Sequence, residues 1–309
     1  MQQSVASVYF SNGSAVDIAK IQGGPAYRQM MRATGVLDSH ATAYHTLFND
    51  TSEAGIGVVQ ASLSLQSLRG FLPPWLGGRN AHSQSLSQML KALKTATESF
   101  LEASISAVEI TVPFPVPDSY LDSLRSACSS LSLHMPLSAQ PPAGILAARA
   151  NGIVGECYTT PSNEVSEQSQ VDDPAQLILT ISYTRAALTT LLVFEECGVF
   201  EYRRVLHDTR LGVDGLSGGS DSSYDDLARA LRNVTNLPLE DGNGAELKQI
   251  GNLVLLGESA GDQRLHDVLK EVLAEQFGRL ASDRGMGITD PLYAASRGVA
   301  KDCWDRIES

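Results

Sequence analysis

The sequence predicts a mixed α/β fold, and three observations predict it. Residues 176–212 hold three apolar runs rich in β-branched and aromatic residues and free of proline, which read as consecutive strands joined by tight turns. Ser83 to Ala103 and Arg264 to Leu280 repeat apolar residues at three- and four-residue spacing, the period of a helix with one buried face. Both halves of the chain also run in the same coarse order, from a hairpin or meander to helix, strand and helix. A meander as apolar as residues 176–212 needs helices on at least one face.

The elements follow in order. Ser4 to Ser11 alternates as a strand, Asn12-Gly13 tolerates the positive φ of a hairpin turn, and Ala15 to Ile21 returns. Gly23-Gly24-Pro25 stops it. From 26 to 80 the pattern weakens: a short helix is expected over Thr42 to Phe48 and a strand or helix start over Ile56 to Leu65. Phe71 to Asn80 is a loop broken by Pro73-Pro74 and Gly77-Gly78, with Trp75 either a packing aromatic or an exposed binding anchor. The helix over Ser83 to Ala103 presents Leu86, Met89, Leu90, Leu93, Ala96, Phe100 and Leu101 on one face. Ala107 to Val112 is a strand stopped by Pro113, and Pro117-Asp118-Ser119 starts a helix with Leu121, Leu124, Ala127 and Cys128 inward. Leu131 to Met135 is a short strand, and Pro141-Pro142 opens a helix over Ala143 to Ala150 whose alanines permit close packing on a sheet.

Thr159 to Pro174, rich in Ser, Glu, Gln, Asp and Pro, is expected to be a solvent-facing insertion. The meander then comprises strands over Leu177 to Tyr183, Ala187 to Glu195 and Val199 to Leu206, with Gly198 free to take positive φ at the second reversal. Gly215 to Asp221 is a flexible turn; it lacks the Lys-Ser/Thr and the leading strand of a phosphate loop. Tyr224 to Val234 is a helix, Asn236 to Gly244 a polar linker, and Gln249 to Leu256 a buried strand. Arg264 to Leu280 is helical, with Leu265, Val268, Leu269, Val272, Leu273 and Phe277 inward, and Asp290-Pro291 caps a last helix over Leu292 to Ile307.

Composition narrows the function. With 35 acidic and 23 basic residues the formal charge is −12, which argues against a surface for a nucleic-acid backbone or an anionic membrane. No apolar run reaches the ~20 residues of a membrane span. Cys128, Cys157, Cys197 and Cys303 are far apart and form no CxxC pair, so reduced thiols and a cytoplasmic location, with the nucleus as the alternative, are expected. No secretory signal is read at the start. The histidines at 40, 45, 82, 134, 207 and 266 form no metal-spacing cluster, and no GxSxG is present. Asp225-Asp226 reads as an acidic pair at a helix start and Glu195-Glu196 as a turn.

Several segments, taken in order, carry a resemblance. SVASVYFSNGSAVDIAKIQG (4–23), AVEITVPFPVPDSYLDSLRSACSSLSL (107–133), QPPAGILAARANG (140–152), GVFEYRRVLHDTRLGVD (198–214), LVLLGESAGDQRLHDVLKE (253–271) and ITDPLYAASRGVAK (288–301) resemble, collinearly, the nucleotide-binding domain of the 70 kDa heat-shock chaperones, within the actin-like ATPase superfamily. The resemblance implies an actin-like ATPase, ribonuclease-H-like fold with two lobes of mixed sheet flanked by helices. It places a first lobe at 1–152, a flexible insertion at 153–175 and a second lobe at 176–309, whose final helix returns towards the first. Only 34 residues separate Asp214 from Gln249, so the upper part of the second lobe is expected to be reduced to about one helix.

The resemblance also implies a degenerate nucleotide cleft. The first phosphate loop, which in the family precedes the stretch that Ser4 to Gly23 resembles, is expected to be absent. Where the second phosphate loop reads DLGGGTFD in the family, this chain has TISYTRAA, Thr180 to Ala187. Thr180 replaces an acid, and Ser182, Tyr183 and Thr184 replace glycines that let backbone N–H groups approach phosphate, a space Tyr183 is expected to fill. Arg185 stands where a threonine would be, either as a fork-like anion donor or as a structural or partner-facing arginine. Gln140 replaces a glutamate, so the acids expected around Mg²⁺ are missing or neutral. Asp208 and Asp214 survive; Asp208 reads as a turn or helix-capping residue, with a residual nucleotide or metal role as the alternative. Gly212 keeps one glycine of a pair, and Gly257 and Ser259 keep part of the adenosine loop, with Glu258 in place of its second glycine. Arg185, Asp208, Gly212, Gly257 and Ser259 are therefore the residual cleft candidates. The expectation is a catalytically inactive, cofactor-free, chaperone-like scaffold or regulatory subunit that binds a protein partner. The alternatives are a divergent ATPase with residual ATP and Mg²⁺ binding, and an unrelated α/β fold.

Overall fold

The computed structural model describes residues 3–37, 80–113, 118–135, 141–153, 175–196, 198–217, 222–240, 246–274 and 290–308. The expectations for Thr42 to Phe48, Ile56 to Leu65, Trp75, Gln140, Thr159 to Pro174 and Phe277 lie outside these residues. The chain divides into two compact units, one of Met1–Ala6, Asp17–Ile110 and Pro115–Gln140, the other of Ser7–Val16, Thr111–Phe114 and Pro141–Ser309.

The opening hairpin forms where Asn12-Gly13 places it: β1 (Gln3–Tyr9) pairs with β2 (Ala15–Gln22), and Gly13 takes φ 83°. In the first unit, β2 is followed at once by α1 (Pro25–Leu37), where the sequence pattern showed only a break. Pro25 ends the strand and opens the helix, the position where its missing N–H costs nothing. The Tyr27 hydroxyl meets Ser4 Oγ at 3.0 Å, and that of Tyr120 donates to Met31 Sδ at 3.6 Å. Helices α2 (Asn80–Leu101) and α3 (Asp118–Ser130) run side by side, with Ser83 bonded to Ser126 and Ser87 to Ser130. Leu86, Met89, Leu90, Leu124, Ala127 and Cys128 are buried, as their spacing predicts. Phe100 departs from its expected face and is 51% exposed. Lys94 already bonds the carbonyl of Leu131, just past the end of α3, so the last turns of α2 have outrun their neighbour. The strands expected over Ala107 to Val112 and Leu131 to Met135 reduce to a single parallel bridge, Ala107 to His134. Among the described residues no third strand joins this pair, and an isolated pair has too little packed surface to extend.

The second unit is built on one four-stranded sheet. Here β3 (Gln176–Tyr183), β4 (Leu188–Glu196) and β5 (Val199–Asp208) form the antiparallel meander, and β8 (Ile250–Leu256) lies parallel to β3. The remaining elements are α4 (Ala143–Ala150) before β3, the short α5 (Val213–Leu216), α6 (Ser222–Thr235) and a short ribbon of β6 (Leu239–Glu240), within the expected polar linker, and β7 (Glu246–Leu247), just beyond it. After β8 come α7 (Gln263–Leu273) and α8 (Ala294–Glu308).

Both faces of the sheet are covered. Leu177, Leu179, Ile181 and Tyr183 of β3 pack with Leu227 and Leu231 of α6 and Leu265 and Leu269 of α7. Ile178 of β3 and Val254 and Leu256 of β8 pack instead with Ala143, Ala147 and Ala148 of α4 and Ala294 of α8. The second face is possible because its helices are thin. A side chain at Gly144 would strike Thr180, and one at Gly298 of α8 would strike the carbonyl of Leu146. At the end of the sheet where β3 begins, Glu195 is buried and satisfied: its carboxylate accepts from Gln176 Nε2 at 2.7 Å and Gly198 N at 2.7 Å, and Asn252 Nδ2 donates to Gln176 Oε1 at 2.6 Å. Glu195 thus shapes the turn that its sequence position suggests. Among the described residues no helix is long and apolar enough to cross a membrane.

The α4–α8 crossing gives a direct test. Gly298→Val is expected to lower stability by about 1–3 kcal/mol, the usual cost of overpacking a close contact, measured by urea unfolding.

Candidate functional site

Strands β3, β5 and β8 point the same way, so three loops leave the sheet at one end: 184–187, 209–216 and 257–262. Loops at the carboxyl ends of such strands are where open α/β sheets present ligand-binding groups.

The first loop is a closed hairpin. Thr184 N donates to Ala187 O at 3.0 Å, and the buried Thr184 hydroxyl donates to Ala187 O at 3.0 Å while accepting from Ala187 N at 3.1 Å. The second loop lies directly on it. Gly212 has no space for a Cβ against the Ala186 and Ala187 backbone, and Val213 N and Asp214 N donate to the carbonyls of Thr184 (3.2 Å) and Arg185 (2.9 Å). The Asp214 carboxylate then accepts from Arg185 Nε at 2.9 Å and pairs with Nη2 at 2.9 Å. The third loop turns at Gly257, which has φ 95° and would drive a Cβ into the Tyr183 carbonyl. Gly257 N donates to Pro291 O at 3.1 Å, and Ser259 N to Tyr183 O at 3.2 Å. This fixes Glu258 so that its Oε1 accepts from Arg185 N at 3.0 Å.

Four of the five sequence candidates therefore meet around the hairpin: Arg185, Gly212, Gly257 and Ser259. Asp208 does not join them. Its Oδ1 caps the short 3-10 turn by accepting from Arg210 N at 2.8 Å, and Arg210 Nη2 reaches its Oδ2 at 2.7 Å. That is the turn-capping role among the two read from the sequence. Burial by itself raises the pKa of this carboxyl, but the hydrogen bonds from Arg210 outweigh it and hold it below the ordinary value.

Tyr183 corrects an expectation. Its ring does not fill the space beside the loop; it is fully buried with Leu179 and Ile181 on the α6 and α7 face. The two-residue period of β3 sends 177, 179, 181 and 183 to the same side. Its hydroxyl is buried and has no hydrogen-bond partner among the described residues, and burial pushes its pKa up. Thr180, also buried, packs on Gly144. Gly215, expected in a flexible turn, lies in α5 with no room for a Cβ against the Arg210 carbonyl. Missed from the sequence are the pairings of Arg185 with Asp214 and Glu258, 29 and 73 residues away. Glu258 carried a signal as a charge where a glycine was expected; nothing in the sequence marked Asp214 as the partner of Arg185.

Beside Asp208, His207 Nδ1 lies 2.7 Å from Thr189 Oγ1. Desolvation pushes its pKa down to about 4, against an upward pull from Asp208. Among the described residues no three His, Cys, Asp or Glu side chains are grouped to hold a metal.

No protein-family model matches the chain, and no curated protein matches it.

Two outcomes are expected. Gly257→Ala should cost about 1–3 kcal/mol, since it adds strain at positive φ and a backbone clash, whereas Arg185→Ala, whose guanidinium is more than half exposed, should cost under about 1 kcal/mol in the same urea titrations. Because folded His207 stays neutral below the ordinary histidine pKa of about 6.5, its contribution is complete above that pH and is lost as pH falls towards 4. Stability should drop over that window by on the order of 1–3 kcal/mol, and His207→Gln should flatten the drop. The Asp208 contribution is lost only at lower pH, below the ordinary carboxylate value.

Proposed function

We propose that the chain is a degenerate relative of the actin-like ATPases, similar to the nucleotide-binding domain of the 70 kDa heat-shock chaperones, and that it serves as a catalytically inactive scaffold or regulatory binding protein. The observation that carries this reading is the state of the 184–187 hairpin. The N–H groups of Thr184, Arg185 and Ala187 all donate to acceptors of the chain itself, and one of these acceptors is the Glu258 carboxylate. A phosphate group needs such N–H groups presented outward, with glycine-like access. The residues present do not fit a bound nucleotide phosphate.

Supporting observations agree in direction. Thr180, neutral and packed on Gly144, offers no carboxylate for metal-bound water. Asp208 is engaged by Arg210. The antiparallel meander with a parallel fourth strand beside β3 is compatible with the sheet that the resemblance implies. With Thr180 in place of an acid and Asp208 engaged by Arg210, protein binding is favoured over phosphoryl transfer, and the net charge of −12 favours a protein over a nucleic acid. Val199, Tyr202 and Val205, exposed on the outer strand β5, supply apolar surface for it.

Calorimetric titration with ATP and ADP, with and without Mg²⁺, tests the reading. No heat is expected up to millimolar nucleotide. Micromolar, Mg²⁺-dependent binding would overturn it and favour the residual ATPase.

A further inference from the structure

Asparagine precedes glycine at two places among the described residues, Asn12-Gly13 and Asn151-Gly152. Both glycines take positive φ, 83° and 67°. Both of their N–H groups donate to a nearby carbonyl, Gly13 N to Phe10 O at 2.9 Å and Gly152 N to Arg149 O at 3.0 Å. The asparagine side chains differ. Asn12 sits at the exposed tip of the β1–β2 hairpin, and its Oδ1 accepts from both donors of Ser14, N at 2.9 Å and Oγ at 2.6 Å. Asn151, just past α4, instead donates from Nδ2 to Ala147 O at 2.8 Å, and no described donor reaches its Oδ1. A carbonyl that accepts two hydrogen bonds is polarised at carbon, and the same donors stand ready for negative charge on its oxygen. The nitrogen next along the chain belongs to a glycine with open space around it: the nearest atom to a Cβ built there is the Tyr9 hydroxyl, at 3.9 Å.

From this geometry we infer that Asn12 is a self-modification site: Ser14 activates the Asn12 side-chain amide for attack by the Gly13 backbone nitrogen, and the hairpin tip converts to aspartate and isoaspartate. Solvent hydroxide takes the Gly13 N–H proton once its bond to Phe10 O opens. The Gly13 nitrogen then bonds to Asn12 Cγ, and the charge that builds on Oδ1 is received by Ser14 N–H and Oγ–H. The Cγ–Nδ2 bond breaks, and Nδ2 takes a proton from water and leaves as ammonia. Water opens the cyclic imide that results. Opening at Cγ restores the normal chain with aspartate; opening at the backbone carbonyl carbon leaves isoaspartate, with the chain running through Cβ. The sum is amide plus water to carboxylate plus ammonium, with no oxidant or reductant. Isoaspartate puts an extra carbon into a turn closed by Phe10 N on Ser14 O at 2.9 Å. It therefore disturbs a hairpin whose Tyr9 ring lies 6.3 Å from that of Trp304 in α8 and whose Ser7 hydroxyl meets that of Ser296 at 2.7 Å. The inference stands independently of the inactive-cleft reading.

The test incubates the full chain at mildly alkaline pH and follows the peptides around Asn12 and Asn151 by mass spectrometry, with aspartate and isoaspartate products separated by chromatography. Parallel samples are kept unfolded in urea. The ratio of the folded rate to the urea rate is expected to be higher at Asn12 than at Asn151, because only Asn12 has its carbonyl held by donors of the fold. Ser14→Ala should lower the folded rate at Asn12 by about three- to tenfold, less than a buried oxyanion donor supplies because the tip lies in water. The same variant should leave the rate at Asn151 and both rates in urea unchanged. Ser14→Thr, which keeps the hydroxyl, should restore the Asn12 rate. A folded-to-urea ratio no higher at Asn12 than at Asn151 overturns the inference, and so does an Asn12 rate that Ser14→Ala leaves unchanged or raises, or a loss that Ser14→Thr does not restore. If a variant does not fold, the wild-type ratios decide by themselves.

Discussion

Strand β3 must be buried on both faces, and the second unit is arranged around that constraint. Leu177, Ile178, Leu179 and Ile181 are each no more than 1% exposed, although they alternate between opposite sides of the sheet. Burying side chains of this size stabilises by about 1.5–3 kcal/mol each, so neither face can be left to solvent. One face is closed by α6 and α7 with Leu227, Leu231, Leu265 and Leu269. The other is closed by α4 and α8, where bulk is limited by backbone approach rather than supplied by large side chains. Glu195, which the arrangement buries, is accommodated locally by two short hydrogen bonds.

The loop cluster inherits its rigidity from this sheet. Because β3 and β8 are parallel neighbours, the turns after Tyr183 and Leu256 emerge side by side. Because β4 and β5 stay paired, across one bulge, up to Leu188 and Asp208, the 209–216 loop falls on the same hairpin. Glycine at 212 and 257 lets those loops pack on bare backbone. Such closeness brings carbonyls and N–H groups within bonding range, and the donors of the hairpin are then taken by partners inside the chain. A turn that in a phosphate-binding protein would face outward is here one wall of a three-loop knot.

The candidate site is only partly legible in the sequence. Gly212, Gly257 and Ser259 are marked by local wording, and the structure brings them to the hairpin with Arg185. Asp208 is marked equally well, yet it turns to Arg210, two residues away, because capping a tight turn satisfies three of that residue's donors at once. Tyr183 reads as an obstruction in the loop, but strand alternation carries its ring into the core. The role of Glu258 depends on a hydrogen bond across 73 residues, and no local pattern encodes a contact of that separation.

For the elements, local chemistry was enough wherever a segment carried its own period or punctuation. The Asn12-Gly13 hairpin, the helix after Pro141-Pro142, the three strands of the meander and the apolar stripe of α7 follow from residue type and spacing alone. Ala107 to Val112 has the composition of a strand, but a strand exists only when a neighbour completes its ladder, and there it finds a single bridge. Phe100 has the spacing of a core residue, but a helix face is buried only as far as its neighbour extends. The sequence by itself determined where the chain bends, winds and extends. Only the tertiary structure decided which donors remain open to a ligand, because hydrogen-bond occupancy at Arg185 is set by two loops that meet it in space and not along the chain.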